Sequence, residues 1–347
     1  MDLMRTIQNT LYVMTPQAYV HLDNSTVRIE VERETRLRVP LHHIGALVCF
    51  GNVMLSPALM HRLAEEGKSL VLLDHSGRFK ARLEGPVSGN ILLRQAQHRA
   101  ALDPDFTLTT ARAVVAGKLR NSRSVLLRGA REAADPGEAQ TLTHCAESLA
   151  ASLRAVPSAG DLDTLRGFEG EAARGYFAAL NLIVKPQARA AFSLDGRTKR
   201  PPRDRFNALI SFLYSMLMND CRSAAEAVGL DPQLGFLHAV RPGRAALALD
   251  LQEEFRSVLV DRFALTLINR GQLSAGDFDE REGGAVMLND QGRRLVVTAW
   301  QERKQEEVTH PLLDSKVPLA LLPFVQARLL ARTLRGDMDG YLPYLAK

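Results

Sequence analysis

Cysteine is scarce in this chain. Its 347 residues hold three, Cys49, Cys145 and Cys221, far apart and in no paired motif. That excludes a disulfide-stapled scaffold, argues against a thiolate metal site and fits a reducing compartment. No apolar run approaches the roughly 20 residues of a membrane span. Asp2, Arg5 and Gln8 interrupt the N-terminal stretch where a secretory signal would need its apolar core. A cytoplasmic protein is expected. Internal repeats and low-complexity tracts are also lacking, which sets aside solenoids and fibrous folds. Neither sign of charge dominates: 44 Lys and Arg against 39 Asp and Glu give a net +5, which permits a polyanionic partner without demanding one. What remains is a composition of 46% hydrophobic and 24% charged residues, ordinary for a soluble protein and long enough for two domains with cores.

The two halves differ in texture. Residues 1 to 86 read as a β-sheet domain: Thr10-Leu11-Tyr12-Val13, Ala18-Tyr19-Val20, Thr26 to Val31 and Arg36 to Val39 are short runs with alternation and β-branched residues, and Ile44 to Phe50 reads as a buried strand. Asp23-Asn24-Ser25 and Ser76-Gly77 are turn signals, and Ser56-Pro57 opens one helix that Gly67 closes. His42, His43 and His75 are scattered and form no catalytic set. Gly85 to Asn90 reads as a linker. From there, residues 87 to 347 read as an all-α domain, with helices over 91–101, 108–127, 137–155, 162–183, 205–228 and 250–270, then a short strand at 285–288, a charged helix at 293–307 with Trp300, and a last helix at 319–334. The expected fold class is therefore α+β, a small N-terminal β domain followed by a larger helical one. Arg94, His98, Arg99, Arg112, Lys118, Arg120, Arg123, Arg128 and Arg131 make the first two of these helices one-sidedly basic, so phosphate contact stays open beside a solvated face.

Three stretches carry residues with chemistry. In the first, Arg166 to Phe177, helical spacing puts Glu169 on the small apolar face of Leu165, Ala172, Ala173 and Tyr176, with Glu171 and Arg174 pointing elsewhere. A carboxylate on a buried face needs a partner, either a structural ion pair or a bound cation. The glycines at 167, 170 and 175 weaken this helix and would allow another element to approach it closely. In the second, His238 sits in a Gly/Pro-punctuated loop. Asp250 follows twelve residues later, opening what reads as one long helix with Leu251, Phe255, Val258, Leu259 and Leu265 as its apolar face. Asp250, Glu253 and Glu254 fall within a roughly 100° arc. Like charges at that spacing repel, so a cation is expected beside them, either basic side chains such as Arg241 and Arg244 or a divalent metal. An imidazole with carboxylates suits magnesium or manganese better than zinc. Acidic residues at a helix start also simply favour the dipole, and spacing alone leaves these readings open. In the third, the loop from Asp195 to Arg203 carries Arg197, Lys199, Arg200 and Arg203, either as a solvated connection or as a strand against phosphates.

At this point the sequence resembles the CRISPR-associated integrase family, the catalytic subunit of spacer acquisition. The resemblance rests on Arg166-Gly-Phe-Glu169-Gly-Glu-Ala-Ala-Arg-Gly-Tyr-Phe177, Asp204-Arg-Phe-Asn207-Ala-Leu-Ile-Ser-Phe-Leu-Tyr214, Val228-Gly-Leu-Asp-Pro-Gln-Leu-Gly-Phe-Leu-His238 and Leu247-Ala-Leu-Asp250-Leu-Gln-Glu253-Glu-Phe-Arg256, in order. It extends from Asn9 to Val13 at the start to Trp300-Gln-Glu-Arg-Lys304 near the end. The pattern looks like the subtype I-C branch. The resemblance implies an N-terminal β domain, a helical catalytic domain and a homodimer, for which the β domain is the expected contact. It also implies assembly with a small companion subunit on double-stranded DNA, prespacer and CRISPR repeat. The reaction it implies is a magnesium- or manganese-dependent transesterification in which a prespacer 3′-hydroxyl attacks the repeat. The family's metal ligands fall on Glu169, His238 and Glu253, with Asp250 a catalytic neighbour that is expected in the outer shell. Glu253 stands where the family often has Asp, which leaves the division between Asp250 and Glu253 open. Glu254 is set aside on the resemblance alone. Arg197, Lys199, Arg200, Arg203, Arg241 and Arg244 are the expected DNA contacts. Two other readings compete: a metal-dependent DNA-repair nuclease that cuts without joining, and a DNA-binding scaffold whose acidic cluster is only structural.

Overall fold

The computed structural model describes residues 9–74, 79–83, 85, 91–194 and 196–346. Asp2, Arg5 and Gln8, His75, the Ser76-Gly77 turn, Asp195 and the linker residues 86–90 lie outside the described residues. The chain forms two compact units, Met1–Gly89 and Asn90–Lys347.

The first unit contains two four-stranded sheets. Its elements are β1 (Asn9–Val13), β2 (Tyr19–Asp23), β3 (Thr26–Val31), β4 (Glu34–Pro40), β5 (Ile44–Phe50), β6 (Met54–Leu55), α1 (Pro57–Glu65), β7 (Ser69–Leu73) and β8 (Phe79–Leu83). One sheet runs β4-β3-β2-β6 and the other β1-β5-β7-β8. In the second sheet β5 pairs in parallel with both β1 and β7, while β8 returns antiparallel. The near-continuous apolar run of β5 follows from its place as an interior parallel strand. Val20, Val27 and Ile29 of one sheet, Leu47, Cys49 and Leu70 of the other, and Leu59 and Leu63 of α1 share one core. Ser56 caps α1, its hydroxyl accepting from the Leu59 amide at 3.2 Å, with Pro57 in the first turn.

The second unit is mostly helical. It contains α2 (Ile91–Leu102), α3 (Pro104–Glu132), α4 (Pro136–Ala155), α5 (Leu162–Leu180), the short α6 (Pro186–Arg189), α7 (Arg205–Val228), α8 (Ala246–Glu253) and α9 (Arg262–Asn269). After these come β9 (Phe278–Arg281), β10 (Ala285–Leu288), α10 (Asp290–Gln305), β11 (Glu307–His310), β12 (Ser315–Pro318) and α11 (Leu322–Leu334). Aspartates start the long helices: the Asp103, Asp135, Asp161 and Asp204 carboxylates each accept from amides in the first turn of α3, α4, α5 and α7. The 29-residue α3 is the spine and packs against α4, α5 and α8. Leu119, Leu126, Leu142, Leu165, Phe206, Leu213 and Phe255 fill the core. Among the described residues, no helix is long and apolar enough to cross a membrane.

Two expectations change. The single helix over 250–270 is three pieces: α8 ends at Glu253, a π-helical segment spans Arg256–Asp261, and α9 resumes at Arg262. Asp250 therefore lies inside α8 rather than at its start. A π segment inserts an extra residue into the helical ladder and rotates everything after it, so faces counted at 100° per residue fail beyond Glu253. The glycines at 167, 170 and 175 also do not serve close packing, because a Cβ at any of them would meet nothing within 4 Å.

Candidate functional site

Glu169, His238, Asp250 and Glu253 come from α5, the loop before α8, and α8 itself, and α3 runs beside them. Asp250, 2% exposed, is spent on the loop. Its Oδ2 accepts from the amides of Phe236 (2.6 Å) and Leu237 (3.0 Å). Its Oδ1 accepts from the His238 amide at 2.9 Å and lies 2.7 Å from His238 Nδ1. One carboxylate thus satisfies three successive backbone donors and sets the imidazole. With a proton on Nδ1, the other ring nitrogen is presented forward, the arrangement found behind metal-binding histidines. Gly235 makes this possible, since a Cβ there would lie 2.6 Å from Asp250 Oδ2 and 2.7 Å from the Ala246 carbonyl carbon. Arg166 ties the same loop to α5, its Nε and Nη2 donating to the Leu237 carbonyl at 3.0 and 2.6 Å. Arg166 and Glu169 are three apart, so the arginine that holds the loop and the carboxylate facing the centre share one side of α5.

Glu253 is 3% exposed. Its Oε1 accepts from Arg256 Nη1 at 2.7 Å and faces His238 Nε2 at 3.8 Å. Its Oε2 lies 2.6 Å from Lys118 Nζ. The same Lys118 ammonium pairs with Glu169 Oε1, and the Glu169 side chain is 25% exposed. Burial alone would push Glu253 up, but Arg256, then Lys118 and His238, hold its carboxyl well below the usual carboxylate range. The cations beside the acidic cluster are therefore Lys118 and Arg256. Glu254 turns the opposite way: Tyr341 Oη donates to it at 2.5 Å and Gln326 Nε2 at 3.0 Å, and the Tyr344 amide also donates. Burial pushes its pKa up to about 8 against those donors.

Glu169 and Glu253 meet at the Lys118 ammonium, with His238 Nε2 3.8 Å from Glu253 Oε1, and two carboxylates with one imidazole suit a hard divalent ion. Among the described residues, no three His, Cys, Asp or Glu side chains stand close enough, as they lie, to hold a metal ion. The Lys118 ammonium sits between the two carboxylates that such an ion would share. The residue types are those that would suit a hard divalent ion, and Asp250 commits its oxygens to the loop.

The basic residues divide. Arg197 turns inward: Nη1 donates to Asn207 Oδ1 at 2.7 Å and to the Thr198 carbonyl, Nη2 donates to Ser211 Oγ at 2.9 Å, and the guanidinium lies over the Tyr214 ring. Both terminal nitrogens of its fork are used in building the loop, which sets Arg197 apart from the other expected DNA contacts. Arg203 is exposed but donates to the Gly283 carbonyl at 2.5 Å. Lys199, Arg200 and Arg241 are exposed and Arg244 half-buried. Partial burial and then the neighbouring charges of Arg256, Arg197 and Arg200 lower the Lys199 pKa. Sequence reasoning gave no role to Arg166 or Arg256 and saw Lys118 only as one of many basic helix residues. Arg166 and Arg256 stand inside the quoted motifs, three residues from Glu169 and Glu253, whereas no local signal marks Lys118.

With this geometry in place, comparison with known proteins is direct. The family described as CRISPR associated protein Cas1 matches residues 11–302. The CRISPR-associated endonuclease Cas1 1 of Moorella thermoacetica is 55% identical over 342 residues, covering 99% of each chain. The CRISPR-associated endonuclease Cas1 2 of Rhodospirillum rubrum is 49% identical over 348 residues, covering 99% of this chain and 100% of its own. Among solved structures, a Cas1 protein from Thermotoga maritima superposes with a TM-score of 0.81 at 24% identity, over 94% of this chain and 97% of that one, a likeness of fold.

Proposed function

The chain belongs to the Cas1 family and is, like these relatives, a CRISPR-associated endonuclease, and from that premise we propose that it joins 3′-hydroxyl ends of foreign DNA into a CRISPR array by transesterification at Glu169, His238 and Glu253. The observation that carries this reading is the convergence of Glu169 and Glu253, from separate helices, on one cation, with His238 held against Glu253 by Asp250.

Glu169, Glu253 and His238 would hold a magnesium or manganese ion, which would supply Lewis acidity to phosphate oxygens. The protein's own residues do the rest. Asp250 fixes the imidazole so that Nε2 faces the centre. Arg256 keeps Glu253 ionised and oriented. Glu169, the more exposed carboxylate, stands on the side from which DNA enters. Lys199, Arg200, Arg203, Arg241 and Arg244 grip phosphates, which positions the duplex without reading its sequence. Prespacer and repeat duplexes are the substrates. The protein works in the cytoplasm as a homodimer with a small companion subunit; support for the companion is a solved structure titled as a partial Cas6-RT-Cas1–Cas2 complex, 25% identical over 98% of this chain.

The test is joining of a short 3′-hydroxyl duplex to a supercoiled plasmid bearing a CRISPR repeat, with the companion present, in manganese, magnesium or chelator. Metal-dependent joined product, lost in Glu169→Ala and His238→Ala, is expected. Joining that survives both substitutions refutes the site. Cleavage that never yields joined product in the presence of the companion refutes integration in favour of a repair nuclease, and activity in chelator refutes the metal.

A further inference from the structure

Lys118 has a position that the proposed reaction does not explain. It projects from the middle of α3, its side chain is 12% exposed, and its single ammonium is shared by Glu169 of α5 and Glu253 of α8. Two carboxylates brought together in a largely buried place repel, and one of them would neutralise without a counter-charge. Of the two carboxylates Arg256 is paired with Glu253, its guanidinium otherwise lying over the Tyr214 ring, whereas Lys118 reaches both and compensates the pair. Lys118 also borders a small cavity lined in part by Ser122, Tyr214, Arg256, Ser257 and Asp261, where, among the described residues, Ser257 Oγ is buried without a hydrogen-bond partner. Ser122, Ser257 and Asp261 on that cavity wall are polar groups outside the carboxylate pair, within an otherwise mainly apolar lining.

We propose that Lys118 is the resident counter-ion of the catalytic centre, which holds Glu169 and Glu253 together as ionised carboxylates and must be displaced when a divalent ion binds. This inference rests on the reading of Glu169, His238 and Glu253 as the metal site. It makes Lys118 a determinant of metal affinity: the ion binds by exchanging with an ammonium rather than by entering a site of bare negative charge. Lys118 is then a positioning residue that trades stability of the metal-free protein against tightness of metal binding. A purely structural lysine behaves otherwise, since its removal loosens the site and weakens metal binding.

The test is manganese binding to the full-length protein by isothermal titration and by electron paramagnetic resonance of the free ion. Wild type, Lys118→Met, Lys118→Gln and Glu169→Gln are compared, with thermal unfolding recorded for each with and without manganese. The metal-free lysine variants are expected to melt below wild type, to bind manganese at least tenfold more tightly, about 1.4 kcal/mol, and to regain most of the lost melting temperature when loaded. In wild type, manganese is expected to speed acetylation of Lys118, read by mass spectrometry against Lys304, which is paired with Asp220. That readout does not depend on a variant folding. If wild type binds and Glu169→Gln does not, yet both lysine variants bind no more tightly than wild type and manganese leaves acetylation of Lys118 unchanged, the counter-ion role is wrong and the metal site stands. If Glu169→Gln binds as wild type does, or if no variant binds, the metal-site reading fails and the inference falls with it.

Discussion

Replacing Asp250 by asparagine separates orienting the histidine from binding a metal. The aspartate Oδ2 accepts from the Phe236 and Leu237 amides at 2.6 and 3.0 Å, and Oδ1 serves the His238 amide at 2.9 Å and His238 Nδ1 at 2.7 Å. Asparagine offers one acceptor oxygen. If it takes the Oδ1 position and keeps the imidazole, its NH2 group opposes two buried backbone N–H groups. Those groups lie around a carboxylate that is 2% exposed and closely covered by Gly235, where a Cβ would lie 2.6 Å from Oδ2. Each orphaned donor costs about 1–3 kcal/mol, so Asp250→Asn is expected to lose about 2–6 kcal/mol of stability in denaturant unfolding. The loop loosens with it, and manganese affinity and joining rate should each fall about 10–100-fold, the usual effect of removing a carboxylate behind a ligating histidine. Glu169→Gln, by contrast, should abolish metal binding at little cost in stability. An Asp250→Asn protein as stable as wild type that binds no manganese would refute this reasoning and make Asp250 a direct ligand.

Other expectations follow from single contacts. Gly235→Ala forces a Cβ to 2.7 Å from the Ala246 carbonyl carbon, and such overpacking should cost about 1–3 kcal/mol in thermal unfolding and at least tenfold in joining. Arg166→Met removes both donors to the Leu237 carbonyl, worth about 1.5–3 kcal/mol for a charged donor, and should slow joining while leaving duplex affinity intact in a binding titration. Lys199→Ala should weaken duplex binding and lower the slope of log K against log salt by about 0.9, whereas Arg197→Ala should lower the unfolding midpoint before it changes that slope. Burial raises the Asp261 pKa from the ordinary 3.8 to about 6, partly offset by the hydroxyls of Tyr214 and Tyr176. The folded state binds that proton more tightly than the unfolded chain. This contribution is full below pH 3.8 and lost as pH rises through 6, and it is worth up to about 3 kcal/mol. Asp261→Asn should flatten stability against pH over that window, and an unchanged profile refutes the assignment.

The sequence is legible where local rules decide. Thr26 to Val31 and Ile44 to Phe50 are strands, and Arg205 to Val228 is one helix, with the bounds that alternation, periodicity and an Asp start with a Gly end suggest. Periodicity fails where the ladder itself changes. The π segment after Glu253 has no compositional mark, so Asp250, five residues into α8, looked like a helix start. The hairpin of β11 and β12, whose strands are only four residues each, was also hidden. Within the candidate site, carboxylates and a histidine can be singled out by type and spacing. Their partners cannot: Lys118 lies 51 residues from Glu169, and Arg166 reaches a carbonyl 71 residues away. Such pairings are set by how α3, α5 and α8 pack, and no window of sequence contains them.

Glu253 and Glu254 show what that packing decides. They are consecutive, both buried and identical in chemistry, and sequence periodicity placed them in one arc. The helix ends between them, so their side chains diverge. Glu253 meets three positively polarised groups, Arg256, Lys118 and His238, and is held ionised facing the centre. Glu254 meets donors without formal charge, Tyr341, Gln326 and the Tyr344 amide, and burial drives it toward the neutral form. Gln326 lies in α11, and Tyr341 and Tyr344 belong to the segment after it. Asn121, one turn beyond Lys118 on α3, clamps that segment from the other side, donating to the carbonyls of Glu254 at 2.7 Å and Tyr344 at 2.8 Å and accepting from the Ala346 amide at 2.9 Å. Pro343 packs so near Gly117 that a Cβ there would come within 2.6 Å. The backbone of α8 is thus gripped directly behind Glu253 by a strap that also touches α3 on either side of Lys118. A hydrogen-bonded anchor on one carboxylate fixes the backbone from which its neighbour faces the candidate metal centre. Glu254→Gln should therefore disturb Glu253 through backbone position alone: manganese affinity should fall several-fold while the charge on the metal-facing side is unchanged. An unaltered affinity in a destabilised Glu254→Gln protein would show that the strap supports the fold without setting the site.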